Sequence, residues 1–361
     1  MSVQVILTGP GEAVTVYDSL IDGYDLALSE LSCVVEVNAA GSAKLGFPST
    51  HLYRADLESL VVPYRTVVEI IKDGAILFRG RALPPSVNLY KTLSLTCEGE
   101  LGFLYDSSVA PGTYSGTPEA VLLMLITAHN AQTDVFKRFG VGTVTIDAET
   151  VELELDEPCT TLAAVKQILE KYGGSLSFST VADSRVISWT DSAGQNEQKI
   201  QLGVNLIDIL KSYSTAELVN RVIPYGKKID GVRVTIASPG YVEDAASQAR
   251  YGAIAKAVTF SGIEDPSELQ QEALKYLDEH KELVSSFTLR AVDLSNTANQ
   301  YDEYIVDVTS WEVGKTVAVI SAPHSIDGRW LLSRREYDLL DPTRDKLTLG
   351  ALPVTLTGTY V

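Results

Sequence analysis

The chain has 361 residues with 29 basic and 47 acidic side chains, so its formal net charge is −18 at pH 7. Its 45% hydrophobic and 21% charged residues exclude wholesale disorder, and the length suits about two to four domains. A pI near 4.6 argues against a surface that binds nucleic acid or anionic lipid, because both need clustered Lys and Arg.

Cysteine usage and hydropathy limit where the protein works. Cys33, Cys97 and Cys159 lie far apart in apolar runs and form no CxxC pair. We expect reduced thiols, and neither a disulfide framework nor a thiolate metal site. The chain begins without the basic and apolar segments of a signal peptide, and no apolar run reaches the roughly 18 residues that span a bilayer. We therefore expect a soluble protein made in a cytoplasm, with no membrane binding of its own.

The first hundred residues have the pattern of strands. β-branched runs at Val3–Thr8, Ala13–Tyr17 and Leu31–Asn38 are separated by Gly, Pro and Asp. Two further apolar runs flank Asp73-Gly74, a pair that favours the positive φ angles of a type I′ hairpin turn. Another strand is predicted at Thr92–Glu98. No helical period competes with these runs, which indicates a small β-barrel or sandwich.

Residues 105–198 mix helices and strands. Thr117-Pro118-Glu119 is typical of a helix N-terminus and predicts a helix over Glu119–Asn130. A second helix begins near Thr161 and ends at Gly173-Gly174. The predicted strands are a pair at Gly142–Ile146 and Val151–Leu155, then Ser175–Ser179 and Arg185–Trp189. Glu152 and Glu154 alternate with apolar neighbours, which indicates a strand with one solvated acidic face.

From Ile200 onward the pattern returns to strands, interrupted by a helical insert. A short helix at Asn205–Tyr213 precedes strands at Leu218–Tyr225 and Val232–Ile236, which a turn at Asp230-Gly231 separates. The insert has predicted helices at Val242–Arg250 and Pro266–Val284, and Asp265 begins a capping box for the second. Asp327-Gly328 marks a later hairpin turn. The strands after the insert are Phe287–Ala291, Tyr304–Val308, Thr316–Ile320, Trp330–Leu340 and Lys346–Leu349.

The sequence offers little catalytic chemistry. The four histidines, His51, His129, His280 and His324, share no helical or metal-ligand spacing, so structural or surface roles are the simpler interpretation. No serine-hydrolase elbow, phosphate-binding loop or dinucleotide fingerprint is present. We therefore name no catalytic, cofactor-binding or metal-binding residue, and we expect no cofactor.

Two alternative functions stay open at this point. Acidic pairs such as Glu152 with Glu154, or Asp302 with Glu303, would serve a cell-wall hydrolase if two carboxylates faced one sugar. The tryptophans Trp189, Trp311 and Trp330 would serve a saccharide-binding module, although packing in cores and interfaces is the commoner use of aromatic residues. The pattern as a whole favours an assembly or binding protein over an enzyme.

Six short segments carry a resemblance to a known family through their order and spacing: Ile200–Leu206, Val222–Gly226, Arg250–Ile254, Ala291–Leu294, Val313–Val319 and Leu347–Gly350. From about Gly142 onward the chain resembles the prophage tail endopeptidase family of minor structural proteins. It is also similar to the N-terminal part of tail-associated lysins and to the hub proteins of contractile-tail baseplates. Lys315 departs from the family, which tends to have an acid after the glycine. In longer members, cell-wall cleavage belongs to appended C-terminal domains, so no catalytic residue carries over.

The resemblance implies an α+β, β-rich fold with two similar β-barrel domains of the tail-tube type and two smaller α+β domains. The expected boundaries are 1–104 for the first barrel and 105–198 for an α+β domain. The second barrel would comprise 199–238 and 286–350, interrupted by a helical insert domain at 239–285. Residues 351–361 would be a C-terminal tail.

The resemblance also implies a structural role at a tail tip or baseplate, in a virion tail made in a bacterial host. Three copies would form a ring whose six barrels continue the sixfold tail tube, and DNA would pass through the lumen. The implied partners are other copies of the chain, the tail tube, distal tail or other tail-tip proteins, and the tape measure protein. An acidic lumen would repel the DNA phosphates, a hypothesis based on the net charge of −18. The tail Thr355–Val361 is expected to contact a further tip component.

Overall fold

Strand is the dominant element in the computed structural model, which describes residues 2–9, 11–21, 25–181, 184–191, 194–215, 217–229, 231–296 and 309–350. The chain divides into two compact units. One is formed by Met1–Ile209 with Leu289–Leu349, and the other contains Leu210–Thr288. The prediction of a β-rich fold is confirmed.

The first block of strands forms an antiparallel sheet in the order β3-β4-β8-β6-β5-β1-β2. The strands β1 to β8 are Val3–Thr8, Ala13–Asp18, Glu30–Glu36, Ser42–Phe47, Val67–Lys72, Ala75–Ala82, Ser86–Val87 and Leu93–Gly99, and a short helix α1 is Leu57–Leu60. The predicted β5–β6 turn is confirmed, with positive φ angles of 50° at Asp73 and 82° at Gly74. Alternate side chains such as Val5, Leu45 and Leu95 enter one shared core, around which the sheet curls.

Two helices cover a second core in the same unit. The elements are β9 (Ser108–Val109), β10 (Gly112–Gly116), α2 (Pro118–Gln132), β11 (Gly140–Thr145), β12 (Val151–Leu155), β13 (Cys159–Thr160), α3 (Thr161–Tyr172), β14 (Ser175–Val181) and β15 (Ser184–Thr190). The predicted cap of α2 is confirmed, since the Thr117 hydroxyl accepts a hydrogen bond from the Ala120 N–H at 3.3 Å. Leu125, Ile168 and Trp189 are buried together between the helices and the strands.

The predicted pairing of the two strands between these helices is wrong. β11 pairs in parallel with β15, whereas β12 pairs antiparallel with β10. Each strand thereby puts its apolar side chains under a helix, and the burial of β12 alternates residue by residue, with Val151, Leu153 and Leu155 buried. Glu152 and Glu154 are exposed, which confirms the predicted acidic face.

The last strands of the chain extend the sheet of the first block. The remaining elements are β16 (Ile200–Gln201), β17 (Leu206–Ser214), β18 (Arg221–Tyr225), β19 (Lys228–Ile229), β20 (Val232–Arg233), β21 (Val242–Glu243), α4 (Ala245–Tyr251), β22 (Ala255–Thr259), α5 (Pro266–His280), β23 (Val284–Ala291), β24 (Thr316–Ser321), β25 (Ile326–Asp338) and β26 (Lys346–Gly350). β25 lies between β26 and β3, and Tyr337 is opposite Cys33. Because of this pairing, strands from the two ends of the chain share one sheet.

The second unit is a small sheet covered by a helix. β18 lies between β21 and β22, and the apolar side of α5 (Leu269, Ala273 and Leu277) is buried in the core of this unit. The predicted cap of α5 is confirmed, because the Asp265 carboxylate accepts hydrogen bonds from the N–H groups of Ser267 and Glu268. The helix ends at His280, before β23 begins at Val284, so it is shorter than predicted.

Two local predictions are corrected. The predicted helix Asn205–Tyr213 is strand β17, which lies beside β23 at one end of the sheet. The Asn205 side chain closes the preceding turn, because it accepts from the Gln201 N–H and donates to the Lys199 carbonyl, and therefore caps no helix. The predicted turn Asp327-Gly328 lies inside β25. The chain turns instead at Ala322–Ser325, where Ser325 has a φ of 52°.

Some predictions fall on residues outside those that the structure describes. These are the strand Tyr304–Val308, the acidic pair Asp302 and Glu303, residue Asp230 of the predicted turn and the tail 351–361. Strands β19 and β20, on either side of Asp230, do pair antiparallel.

Candidate functional site

The four histidines occupy four separate places. His51 is buried with its Nε2 at 2.9 Å from the Val16 carbonyl, and His280 stacks on Tyr276 with ring centres 3.9 Å apart. His324 is exposed in the turn after β24, where its Nδ1 lies 2.6 Å from the Ser321 hydroxyl. No group of three His, Cys, Asp or Glu residues suited to a metal ion occurs within the described ranges.

The remaining histidine, His129, contacts a serine that sequence reasoning did not single out. The Ser107 hydroxyl lies 2.7 Å from the His129 Nδ1 and 2.8 Å from the Thr161 hydroxyl. The His129 Nε2 lies 2.9 Å from the Lys137 carbonyl, so it is the protonated nitrogen and the Nδ1 accepts from Ser107. Burial lowers the pKa of His129, which keeps the ring neutral.

This serine–histidine pair holds the fold together and has no access to a substrate. His129 is 0% exposed and Ser107 is 5% exposed. A catalytic serine has to reach the bond that it attacks, and its histidine is normally oriented by a carboxylate, whereas here a backbone carbonyl orients the ring. The contacts join α2, α3 and the segment before β9. Ser107, His129 and Thr161 are far apart in the sequence, so no local motif predicts their contact.

Paired charges join the first strand block to the helices and strands of residues 105–198. The Glu100 carboxylate, whose side chain is 8% exposed, lies 3.3 Å from Arg79 on β6 and also binds Arg185 on β15. The Arg185 Nε donates to it at 3.0 Å. Arg79 also pairs with Glu69 at 3.3 Å, so removing the charge of Glu100 takes one of two carboxylate partners from Arg79 and the carboxylate partner from Arg185.

A second cluster lies at the same boundary. Arg81 on β6 donates to Glu98 at 2.7 Å and also binds Asp106. Lys137 donates to the same Asp106 carboxylate at 2.7 Å. These contacts involve β6, β8 and the segments that follow β8 and α2. Both clusters lie within the first unit and fix its strand block against its helices.

The most deeply buried charges of the described chain surround Arg335 on β25. Its guanidinium donates to Asp293, after β23, and to Asp345, before β26, at 2.9 Å in each case. The side chains of Arg335, Asp293 and Asp345 are 0%, 3% and 6% exposed. The Arg335 guanidinium also lies 4.2 Å from the centre of the Tyr337 ring. One cation therefore ties together three segments of the first unit.

The net pKa shifts of the two carboxylates have opposite directions. For Asp293, burial by itself would raise the pKa. The Arg335 charge and hydrogen bonds from Ser310, Gln198 and Ser295 outweigh burial and lower the pKa to about 2. For Asp345, burial exceeds the effect of the same guanidinium, so its pKa is raised. No carboxylate here faces a space open to a substrate, and the arrangement is that of a structural ion cluster.

A cavity of about 380 Å³ in the first unit is lined by residues of β3, β6, β14 and β15 and by the segment before β24. Its lining includes Phe78 and Phe178 among apolar side chains, and its charged lining includes Glu100 and Arg185, which bind each other. The tryptophans Trp189 and Trp311 are buried, 0% and 2% exposed, so neither offers a ring face to a saccharide. Trp330 is half-buried on β25.

Cys33 and Cys97 are buried and Cys159 is half-buried, and all three are free thiols. Within the described ranges, no helix is both long and apolar enough to cross a membrane.

Large apolar side chains are exposed at several places in the described residues, and two of them have neighbouring or alternate exposed residues. One is the loop after β7, where Leu89 is 90% exposed and Tyr90 is 80% exposed. The other is strand β17, with Leu210 at 62% and Tyr213 at 59%. Such surfaces are typical of proteins that bind other proteins.

Part of the chain matches a known protein family. Residues 194–359 match the model of the prophage endopeptidase tail family. The resemblance inferred from the sequence is thereby confirmed. No curated protein sequence matches the chain.

Three solved structures of tail proteins, two of them from prophages, share the fold over nearly the whole chain. The tail protein from Neisseria meningitidis MC58 has a TM-score of 0.63 and 16% identity, covering 97% of both chains. The 43 kDa tail protein of prophage MuSo2 from Shewanella oneidensis has a TM-score of 0.60 and 12% identity, covering 98% of both. Prophage tail protein gp18 from Listeria monocytogenes EGD-e has a TM-score of 0.58 and 14% identity, covering 98% of this chain and 96% of that one.

Proposed function

We propose that the chain is a structural hub of a phage or prophage tail tip or baseplate, and that it works by assembly rather than catalysis. The observation that carries the proposal is the fold, which matches three tail proteins, two of them from prophages, over 97% or more of this chain and 96% or more of theirs. The family segment at residues 194–359 supports it independently. The buried charge clusters fit a rigid element, and the exposed apolar side chains fit one that contacts neighbours.

In this proposal three copies form a closed ring with six barrels, two from each chain, on the sixfold tail tube. The first barrel comprises 1–104 and the second 199–238 with 286–350. The domains at 105–198 and 239–285 lie beside them, and 351–361 forms a tail. In a closed ring each contact surface is buried against a neighbouring copy, so no free surface remains for growth into a fibre. The partners are the tail tube, other tail-tip proteins and the tape measure protein, and DNA passes through an acidic lumen that repels its phosphates.

Negative-stain images of the purified full-length chain, with its mass from light scattering, test the ring. We expect threefold particles with a central hole and a mass near three times 39.1 kDa. A neutral or basic lumen in a structure of the ring would remove the electrostatic part of the proposal. Lysis of purified cell wall by this chain alone, in a zymogram, would favour a hydrolase and contradict the non-enzymatic role.

A further inference from the structure

The hairpin β19–β20 in the second unit is a small, exposed element with two different faces. Lys228 is opposite Arg233 and Ile229 is opposite Val232. Because opposite residues in an antiparallel pair share a face, one side of the hairpin is basic and the other is apolar. All four side chains are exposed, with Val232 at 72% and Ile229 at 43%.

The hairpin contributes little to the core of its own unit. That core contains Val222, Leu269, Ala273 and Leu277, with Val234 packed against it, and it includes neither Ile229 nor Val232. At the base of the hairpin, the Gly226 N–H donates to the Val234 carbonyl at 2.8 Å. The exposed side chains of the hairpin therefore lie outside the core of their unit, which points to a binding role.

The charge of the hairpin is opposite to that of the protein. Segment 227–234 has three cations and one acid, in a chain whose net charge is −18. Lys227 is paired with Glu264 at 2.6 Å, and the Arg233 guanidinium donates to the Gly226 carbonyl at 3.3 Å. Neither bond neutralises the charges of Lys228 and Arg233, so the basic face fits an acidic protein surface.

Strand β12 has a matching surface. Glu152 and Glu154 lie on one face of the β10–β12 sheet, opposite Ser115 and Thr113. All four residues are exposed, and neither glutamate side chain has an ion pair among the described residues. The short hydroxyl side chains leave room for a hairpin to approach the two carboxylates closely.

We propose that the basic face of hairpin β19–β20 in one copy docks on the acidic face of β12 in a second copy of this chain. The contact uses two different surfaces of the same molecule, so it is heterologous and is satisfied in a closed ring. It rests on the proposed ring and specifies one of its contacts. Double-stranded DNA is the less favoured partner, because binding to its phosphates needs more cations than the three in segment 227–234.

Reciprocal charge reversal of the full-length chain tests the contact by sedimentation velocity. We expect the double variant Lys228→Glu/Arg233→Glu to weaken self-association about tenfold, and Glu152→Lys/Glu154→Lys to do the same. Combining all four substitutions restores opposite charges across the contact and should recover most of the lost affinity. The matched control Lys275→Glu/Arg329→Glu makes the same change in net charge at exposed positions elsewhere and should keep wild-type association. Circular dichroism checks that each variant is folded.

The outcomes separate this contact from the hub itself. A ring that persists in the hairpin variant, or an affinity that the combined variant does not recover, overturns the contact and leaves the hub proposal standing. A chain that is monomeric in solution but trimeric at the end of the tube also overturns the contact alone. Binding of the wild type to a labelled DNA duplex at low salt, lost in the hairpin variant, would assign the hairpin to nucleic acid and refute the proposal.

Discussion

Replacing Arg335 with Met removes the one cation that the carboxylates of Asp293 and Asp345 share. The guanidinium donates to both at 2.9 Å, and all three side chains are buried. Methionine fills much of the same space but leaves two buried negative charges without a partner. Breaking a buried pair in this way typically costs about 3–5 kcal/mol, so we expect a loss of stability of that order at pH 7.

The pH dependence of this loss distinguishes charge from packing. In the wild type, the pKa of Asp293 is lowered from 3.8 to about 2, so its contribution is present above pH 3.8 and disappears as the pH falls towards 2. At about 1.36 kcal/mol for each pKa unit, that contribution is about 2 kcal/mol. Without Arg335, burial and mutual repulsion raise both carboxyl pKa values above those of the unfolded chain. The variant should therefore regain more stability on mild acidification than the wild type, in which only Asp345 of the two carboxylates has a raised pKa.

Urea unfolding followed by tryptophan fluorescence at several pH values measures both effects. The matched control is Arg329→Met, an exposed arginine on the same strand, which should change stability by less than about 0.5 kcal/mol. The combined variant Arg335→Met/Asp293→Asn/Asp345→Asn should lose less stability than Arg335→Met alone. Equal losses for Arg335→Met and Arg329→Met, or a loss that stays constant with pH, would refute the reasoning.

Three further predictions concern the first unit. Glu100→Gln leaves Arg79 and Arg185 without their shared carboxylate and should lower the free energy of unfolding by about 1–3 kcal/mol. The control Glu170→Gln, at an exposed position, should change it very little, and equal urea midpoints for the two variants would contradict the prediction. Thr117→Ala removes the cap of α2 and should lower the free energy of unfolding by about 1 kcal/mol, whereas Thr117→Ser should keep the hydrogen bond. Unchanged stability of Thr117→Ala would show that the cap contributes nothing. Burial lowers the pKa of His129 in the folded protein, so below about pH 6.5 the unfolded chain binds a proton more readily than the folded chain, and stability should fall as the pH drops. An NMR titration that gives the folded His129 its ordinary pKa would contradict this prediction.

Local signals in the sequence predict the parts of the fold that local chemistry decides. Asp73-Gly74 was predicted as a hairpin turn because its residues tolerate positive φ, and the structure has both angles there. Thr117 and Asp265 were predicted as helix caps because their side chains bond to N–H groups within three residues. Such contacts need no information from the rest of the chain.

Contacts between distant residues account for the errors and omissions. Asn205–Tyr213 was predicted as a helix, but pairing in the sheet makes it a strand. The bond between Ser107 and Thr161 joins residues 54 apart, and Arg335 binds Asp293 from 42 residues away. No spacing rule connects such positions. The buried clusters that define the first unit were therefore visible only once the strands were placed.

A reconstruction of the tail tip in purified particles tests the central claim most directly, because it counts the copies of this chain at the end of the tube. The hub account predicts three copies in a ring that places six barrels on the sixfold tube around an open channel. A tip that lacks the chain, or contains it in any number other than three, would contradict the account.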